Sequence, residues 1–291
     1  MSSSKHRQGE TIAQKRARRI LAFFLFLTFS LLSLSLCVRF AFVSKNAILS
    51  AMTSDAYVSG ATKSAVDYSH DLCDECGIPY DSVDKNVNYD IIYSIQKAYY
   101  GGILNSSAEY TDTTYQDYIQ NLGKNLKKST LSMLSEQNIE TAADKEKAVD
   151  KFVGNITSYV TEITEIPYAG MLKTLVTVGG IAALVAAAVF AVIALVLILI
   201  IVSIGSKIHR ALREIAFSLY AASLLNILLV GGVEIVKLFK TLVLYPLYLG
   251  EAVMNYVNGC LVSVGWSSFA LFLCGAVLTS VVWIINKNEN S

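Results

Sequence analysis

The densest concentration of reactive side chains is the run HDLCDEC, His70 to Cys76, followed by GIPYD. Cys73 and Cys76 form a Cys-x-x-Cys pair, which supports three chemistries. In an oxidising compartment the plain reading is a disulfide, which stabilises little beyond the turn before Gly77 and Pro79 because the loop it closes is short. The same dithiol can cycle by exchange with a partner's disulfide. His70, Cys73 and Cys76 also recur at intervals of three. Successive helical turns can present them to a soft metal such as zinc or copper, although the run holds no second cysteine pair to complete the ligand set.

Downstream, Asp84, Asn86 and Asn88 repeat the Asp-x-Asn-x-Asn opening of a calcium loop. Tyr89 stands where the bend needs glycine and Ile95 where the bidentate glutamate belongs, so a solvated acidic turn entering a helix is the better reading. A motif of another kind runs through the longest apolar stretch. Gly179, Ala183, Ala187 and Ala191 stand four apart and leave one helix face without bulk, where a neighbouring helix can approach closely. Another span of the same chain is the expected neighbour, ahead of a second copy.

These residues are distributed over a chain of sharply segregated charge. The 291 residues are 54% apolar and 16% charged, with a formal net charge of +1. Residues 1–19 carry six Lys or Arg against Glu10 alone, whereas residues 46–170 carry 18 acids against nine lysines and no arginine. A basic tail and an acidic domain on opposite sides of a membrane account for the split. Nucleic-acid binding is excluded, because it needs its basic residues on a folded domain.

The membrane itself is read from uncharged runs. No charge interrupts the chain between Lys173 and Lys207, and an apolar run of roughly 20 residues or more satisfies its backbone in hydrocarbon only as a helix. Ile20–Val38 follows the basic tail directly. It exceeds the roughly 7 to 15 residues of a signal-peptide core and lacks a small-x-small cleavage site, so it reads as an uncleaved signal anchor. A third run, Ile215–Val233, is broken only by Asn226, and a fourth extends from Gly259 to Ile285 with Trp266 and Trp283 near its ends. Lys207, Arg210 and Arg213 in the connection after the second run mark the cytoplasmic side. The ionisable groups near hydrocarbon are Arg39, Glu234 and Lys237, all close to outer ends, so no charge marks an ion path at mid-depth.

The expected fold is an all-α integral membrane protein with four transmembrane helices and a helical extracytoplasmic domain inserted between the first and second spans. Its segments are a basic cytoplasmic tail at 1–19, the signal anchor at 20–43, the acidic extracytoplasmic domain at 44–170 and the second span at 171–205. A basic cytoplasmic loop at 206–213, the third span at 214–236, an apolar interfacial outer loop at 237–258, the fourth span at 259–286 and a cytoplasmic tail at 287–291 complete it. Helical spacing divides the outer domain into an extension of the first span through Ile48, Met52, Val58 and Val66, then Val87–Tyr100, Thr114–Leu134 and Thr141–Ile163. Pro167 marks its return to the bilayer. In the outer loop, Tyr245, Tyr248 and Tyr256 around Pro246 suit the headgroup level.

In span number and in an outer Cys-x-x-Cys, Cys73 and Cys76, the chain resembles four-span quinone-linked thiol oxidases. It departs from them in having only Cys260, and no second pair, near the second outer loop, and a whole domain where their first outer loop is short. No nucleotide loop, metalloprotease helix or nucleophile elbow is present, and no cofactor is implied. The expected function is a non-enzymatic sensory, partner-binding or accessory subunit of the plasma membrane, with both termini cytoplasmic. Its expected partners are the lipid bilayer and either another membrane or extracytoplasmic protein or itself. An oligomeric channel or transport component is the alternative, with Ser263, Ser267, Ser268, Thr279 and Ser280 as its scant polar lining. A thiol-disulfide oxidoreductase using Cys73 and Cys76 is the second alternative.

Overall fold

The computed structural model describes residues 12–104, 112–136, 143–165, 169–204, 208–236 and 247–290, and no strand occurs among them. Pro167, Lys207, Lys237, Tyr245 and Pro246 lie outside the described residues, as does the side chain of Glu234. The helices in chain order are α1 (Ile12–Cys37), α2 (Lys45–Met52), α3 (Asp55–Cys76), α4 (Asp81–Asp84), α5 (Tyr89–Leu104) and α6 (Asp112–Glu136). After them come α7 (Ala143–Thr164), α8 (Ala169–Thr174), α9 (Gly180–Ile204), α10 (Ile208–Val236) and α11 (Leu247–Asn290). Single π-helical turns, Val38–Phe42 and Leu175–Gly179, follow α1 and precede α9. Four stretches are long and apolar enough to cross a membrane: Ile12–Phe42, Gly170–Ile204, Ile208–Val233 and Tyr248–Lys287. They mark a multi-pass membrane protein.

The chain divides into two compact units. One is drawn from Met1–Phe42, Val178–Phe239 and Asn258–Ser291, the other from Val43–Thr177 and Lys240–Val257. In the first, α1 packs against α9 and α10. The buried positions of α9 are Gly180, Ala183, Ala187, Ala194 and Ile201, while Leu184, Val185, Val192, Leu195 and Leu199 are exposed, as suits contact with lipid. The buried set advances by three, four and seven residues, the seam of a left-handed helix pair. This corrects the four-residue stripe. Each four-residue step turns the helix about 40° past a full turn, so a stripe twelve residues long drifts by about 120°. Ala183 and Ala187 stay on the seam, whereas Gly179 is half-buried and Ala191 exposed. In the first π turn, Arg39 lies along α9, its guanidinium carbon 3.7 Å from the position a Cβ would take on Gly180.

In the second unit, α3, α5, α6 and α7 surround a core that includes Val58, Ala65, Ile92, Ile95, Leu126, Phe152 and Ile156. The expected single extension of the first span is instead broken into α2 and α3. At the break, Thr53 Oγ1 donates to the Leu49 carbonyl at 2.8 Å and Ser54 Oγ to that of Ala51 at 2.7 Å. Such side-chain bonds give the backbone an alternative to continuing the helix. Tyr57 and Tyr100, both buried, join hydroxyls at 3.0 Å, and the Tyr100 hydroxyl donates to the Thr164 carbonyl at 3.0 Å, tying α3, α5 and α7 together. Burial pushes both phenols up, so they stay protonated.

The second half of the expected outer loop is helical. Residues 247–257 are the first turns of α11, a single 44-residue helix, about 66 Å long at 1.5 Å per residue. Tyr248 packs edge-on against Tyr57, with ring centroids 5.4 Å apart. The contact is close enough that a Cβ on Gly60 would lie 2.2 Å from the Tyr248 Cβ. Gly60→Ala is therefore expected to cost about 1–3 kcal/mol, as overpacking does in cores, and to lower the thermal unfolding midpoint in detergent, whereas Gly154→Ala, which meets nothing within 4 Å, is tolerated.

Candidate functional site

Cys73 and Cys76 occupy the last turn of α3, and the helix stops because Gly77 adopts a left-handed conformation, φ 66°. That reversal lets the Ile78 amide donate to the Cys73 carbonyl at 2.9 Å and turns Ile78 back into the core. The two thiols diverge in environment. Cys73 is buried among Val83, Ile78 and their neighbours, Cys76 is exposed, and both are free. The expected bridge is not formed. Burial, then Asp84, Cys76 and Asp74, push the Cys73 thiol up to about 11. A redox nucleophile needs the opposite shift, toward thiolate at neutral pH.

His70 is engaged by Asp84 and Tyr80. Its Nε2 pairs with Asp84 Oδ1 at 2.7 Å, and its ring stacks on Tyr80 with centroids 4.2 Å apart and planes within 8°. Tyr80 donates in turn to Asp74, which raises the phenol. The group pins α4 to the end of α3. Among the described residues, no three His, Cys, Asp or Glu side chains form a set able to hold a metal, so His70, Cys73 and Cys76 are not brought together as ligands.

The calcium-like run serves the backbone. Asn86 Nδ2 donates to the Ser82 carbonyl at 2.9 Å, and Asn88 Oδ1 accepts from the Ile91 amide at 3.1 Å, the bond of an N-cap for α5. Asp84 faces His70 instead of converging with the two asparagines.

A second set of polar groups, which sequence reading did not assemble, lies inside the transmembrane unit. Ser30 Oγ donates to Asn226 Oδ1 at 2.6 Å, and Asn226 Nδ2 donates to Ser33 Oγ at 3.2 Å. Ser33 Oγ donates to Ser267 Oγ at 3.0 Å, to which Cys37 Sγ also donates at 3.2 Å. The ladder joins α1, α10 and α11, and Asn226 is fully buried at its centre. Nearer the start of α1, Arg18 is buried 3.8 Å from Glu214 of α10, and Ser218 Oγ donates to the Ala22 carbonyl at 2.8 Å. Glu214, the lone acid of SKIHRALRE, was the available signal for that pair. The hydroxyls offered as a pore lining are engaged locally: Ser263, Ser268, Thr279 and Ser280 each donate to the carbonyl four residues back.

No protein-family model, curated protein or solved structure matches the chain, so the reading rests on its own geometry.

Two outcomes are expected. With Cys76 replaced by Ser, alkylation of Cys73 at pH 8, followed by peptide mass spectrometry, should run far slower than that of glutathione. Asn226→Leu should orphan Ser30, leave Ser33 only its bond to Ser267, and cost about 1–2 kcal/mol of stability in detergent. Adding Ser30→Ala to it should cost little more, because the two residues share one bond.

Proposed function

We propose that the protein is a plasma-membrane subunit with both termini in the cytoplasm, whose acidic helical domain lies outside the membrane and binds a basic protein partner without catalysing a reaction. The observation that carries this reading is the charge at the end of α3. Between Lys63 and Lys85 stand Asp67, Asp71, Asp74, Glu75, Asp81 and Asp84, all exposed, and no Lys or Arg. Asp74 and Glu75 fall in the last turn of α3, where the helix dipole already presents its negative end and acidic side chains are disfavoured. Carboxylates crowded there weaken the isolated domain, and a cationic surface docking on them relieves the repulsion. Net negative potential also speeds encounter with a basic partner.

The thiol and channel readings have less support. Cys73 is held as a thiol at neutral pH, and the intramembrane hydroxyls are bonded to one another or to their own helices.

The test is quantitative crosslinking in intact cells, comparing the tagged full-length protein with its Asp71→Asn, Glu75→Gln, Asp81→Asn variant. These three side chains should each contribute a fraction of a kcal/mol to about 1 kcal/mol, so recovery of the partner should fall roughly tenfold. The complex should also loosen as salt rises from about 0.1 M to about 0.5 M. A partner retained undiminished by a variant with unchanged helical content would overturn the proposal.

A further inference from the structure

We infer that the helical unit holds one acyl chain of a membrane phospholipid. A cavity of about 240 Å³ opens between α2, the stretch leading from α8 into the following π turn, and the first turns of α11. Ile48 and Met52 form one wall, Leu172 and Leu175 the second, Val253 and Tyr256 the third. Among the described residues, every one lining it is aliphatic, methionine or tyrosine, and no charged or amide side chain reaches it.

Water does not suit such a space, because it needs two to four polar partners, and even a smaller hydrocarbon-lined cavity of about 150 Å³ stays dry and takes up apolar ligands. Left empty, the lining forfeits its dispersion contacts. The occupant is therefore apolar. Its source follows from what the walls belong to: Leu172 and Leu175 lie in the membrane-spanning stretch Gly170–Ile204, and Val253 and Tyr256 in Tyr248–Lys287. Leu175 is itself 52% exposed, and Val178 and Ile181, further along the same span, are about as open. The cavity thus reaches apolar surface at Leu175 within a membrane-spanning stretch, and a chain enters it sideways from the bilayer without crossing water. The charged residues nearest the lining in sequence, Lys45, Asp55, Lys173 and Glu251, are of both signs. The site therefore selects for the hydrocarbon chain and is indifferent to the headgroup.

The experiment uses the full chain reconstituted in phosphatidylcholine vesicles containing a small fraction of phosphatidylcholine with a photoreactive diazirine near the end of one chain. After irradiation, adducts are mapped by mass spectrometry. Met52 and Tyr256 should be labelled severalfold more than Leu195 and Leu199, which are merely exposed on α9. Filling the cavity by Val253→Phe, or separately by Leu175→Phe, should abolish the excess and leave α9 labelling unchanged. Exchanging the headgroup for phosphatidylglycerol should leave the pattern as it was. Uniform labelling of cavity and α9 overturns the inference, as does an excess that persists in a folded filling variant. Labelling of the cavity by a diazirine fatty acid but not by the phospholipid overturns the assignment to a bilayer lipid. Should either filling variant fail to fold, the wild-type ratio of cavity to α9 adducts decides alone. The outcome is independent of the acidic surface, since it reads neither partner recovery nor salt.

Discussion

Asn226 brings an amide into the interior of a bundle whose surroundings offer it no water. A polar group in that position is tolerated only when each of its donors and acceptors finds a protein partner. Ser30 and Ser33 meet that need from α1, and Ser267 and Cys37 extend the chain of bonds to α11. Three spans are thereby held at one axial register, because a slide of one helical turn, about 5.4 Å, would break every bond in the ladder. Apolar packing alone is less exacting: Ala194, Ile201 and Leu25 can be slid past one another with modest loss, since dispersion is not directional. The ladder consequently determines which faces are left for lipid.

The helical unit solves the same problem with different chemistry. Its buried tyrosines bring large apolar area and one hydroxyl each, and Tyr57 and Tyr100 satisfy theirs on one another and on the Thr164 carbonyl. On α6 and α7, Lys127 sits between Glu146 and Asp150 at 3.1 and 2.6 Å, an exposed arrangement whose contribution is small beside the core it borders. Close packing governs the rest. Gly60 allows Tyr248 to come within a distance that no side chain would permit, so the start of α11 is bound into the unit by shape before any polar contact is counted.

The four spans and the helices from α5 to α7 were legible because apolar run length and helical spacing are local properties. What escaped depends on partners distant in sequence. Ser30 and Asn226 are separated by 196 residues, and nothing near either one announces the other. Arg18 reads as one more cation of a basic tail until α10 delivers Glu214 beside it. The small-residue stripe failed for a geometric reason, since a period of four is not the period of a helix seam. The calcium-like run, read from the sequence as an acidic turn entering a helix, supplies a turn and a cap: Asn86 bonds through its amide nitrogen, and Asn88 caps α5 with the oxygen it would otherwise offer a cation. The break between α2 and α3 was hidden in two hydroxyls that composition treats as neutral.

The two features drawn together at the end of α3, an acidic surface and a thiol, differ in what controls them. The carboxylates of Asp74 and Asp84 do raise Cys73, but burial raises it more. A cationic partner lying over those carboxylates would remove the smaller contribution and leave the larger, because desolvation persists as long as Cys73 remains packed against Ile78 and Val83. The thiol therefore stays protonated whether or not the acidic surface is occupied. Exposing it requires the Gly77 turn to open, which would pull Ile78 out of the core and break its bond to the Cys73 carbonyl. Recognition at this surface can proceed without thiol chemistry, whereas thiol chemistry cannot proceed without local unfolding.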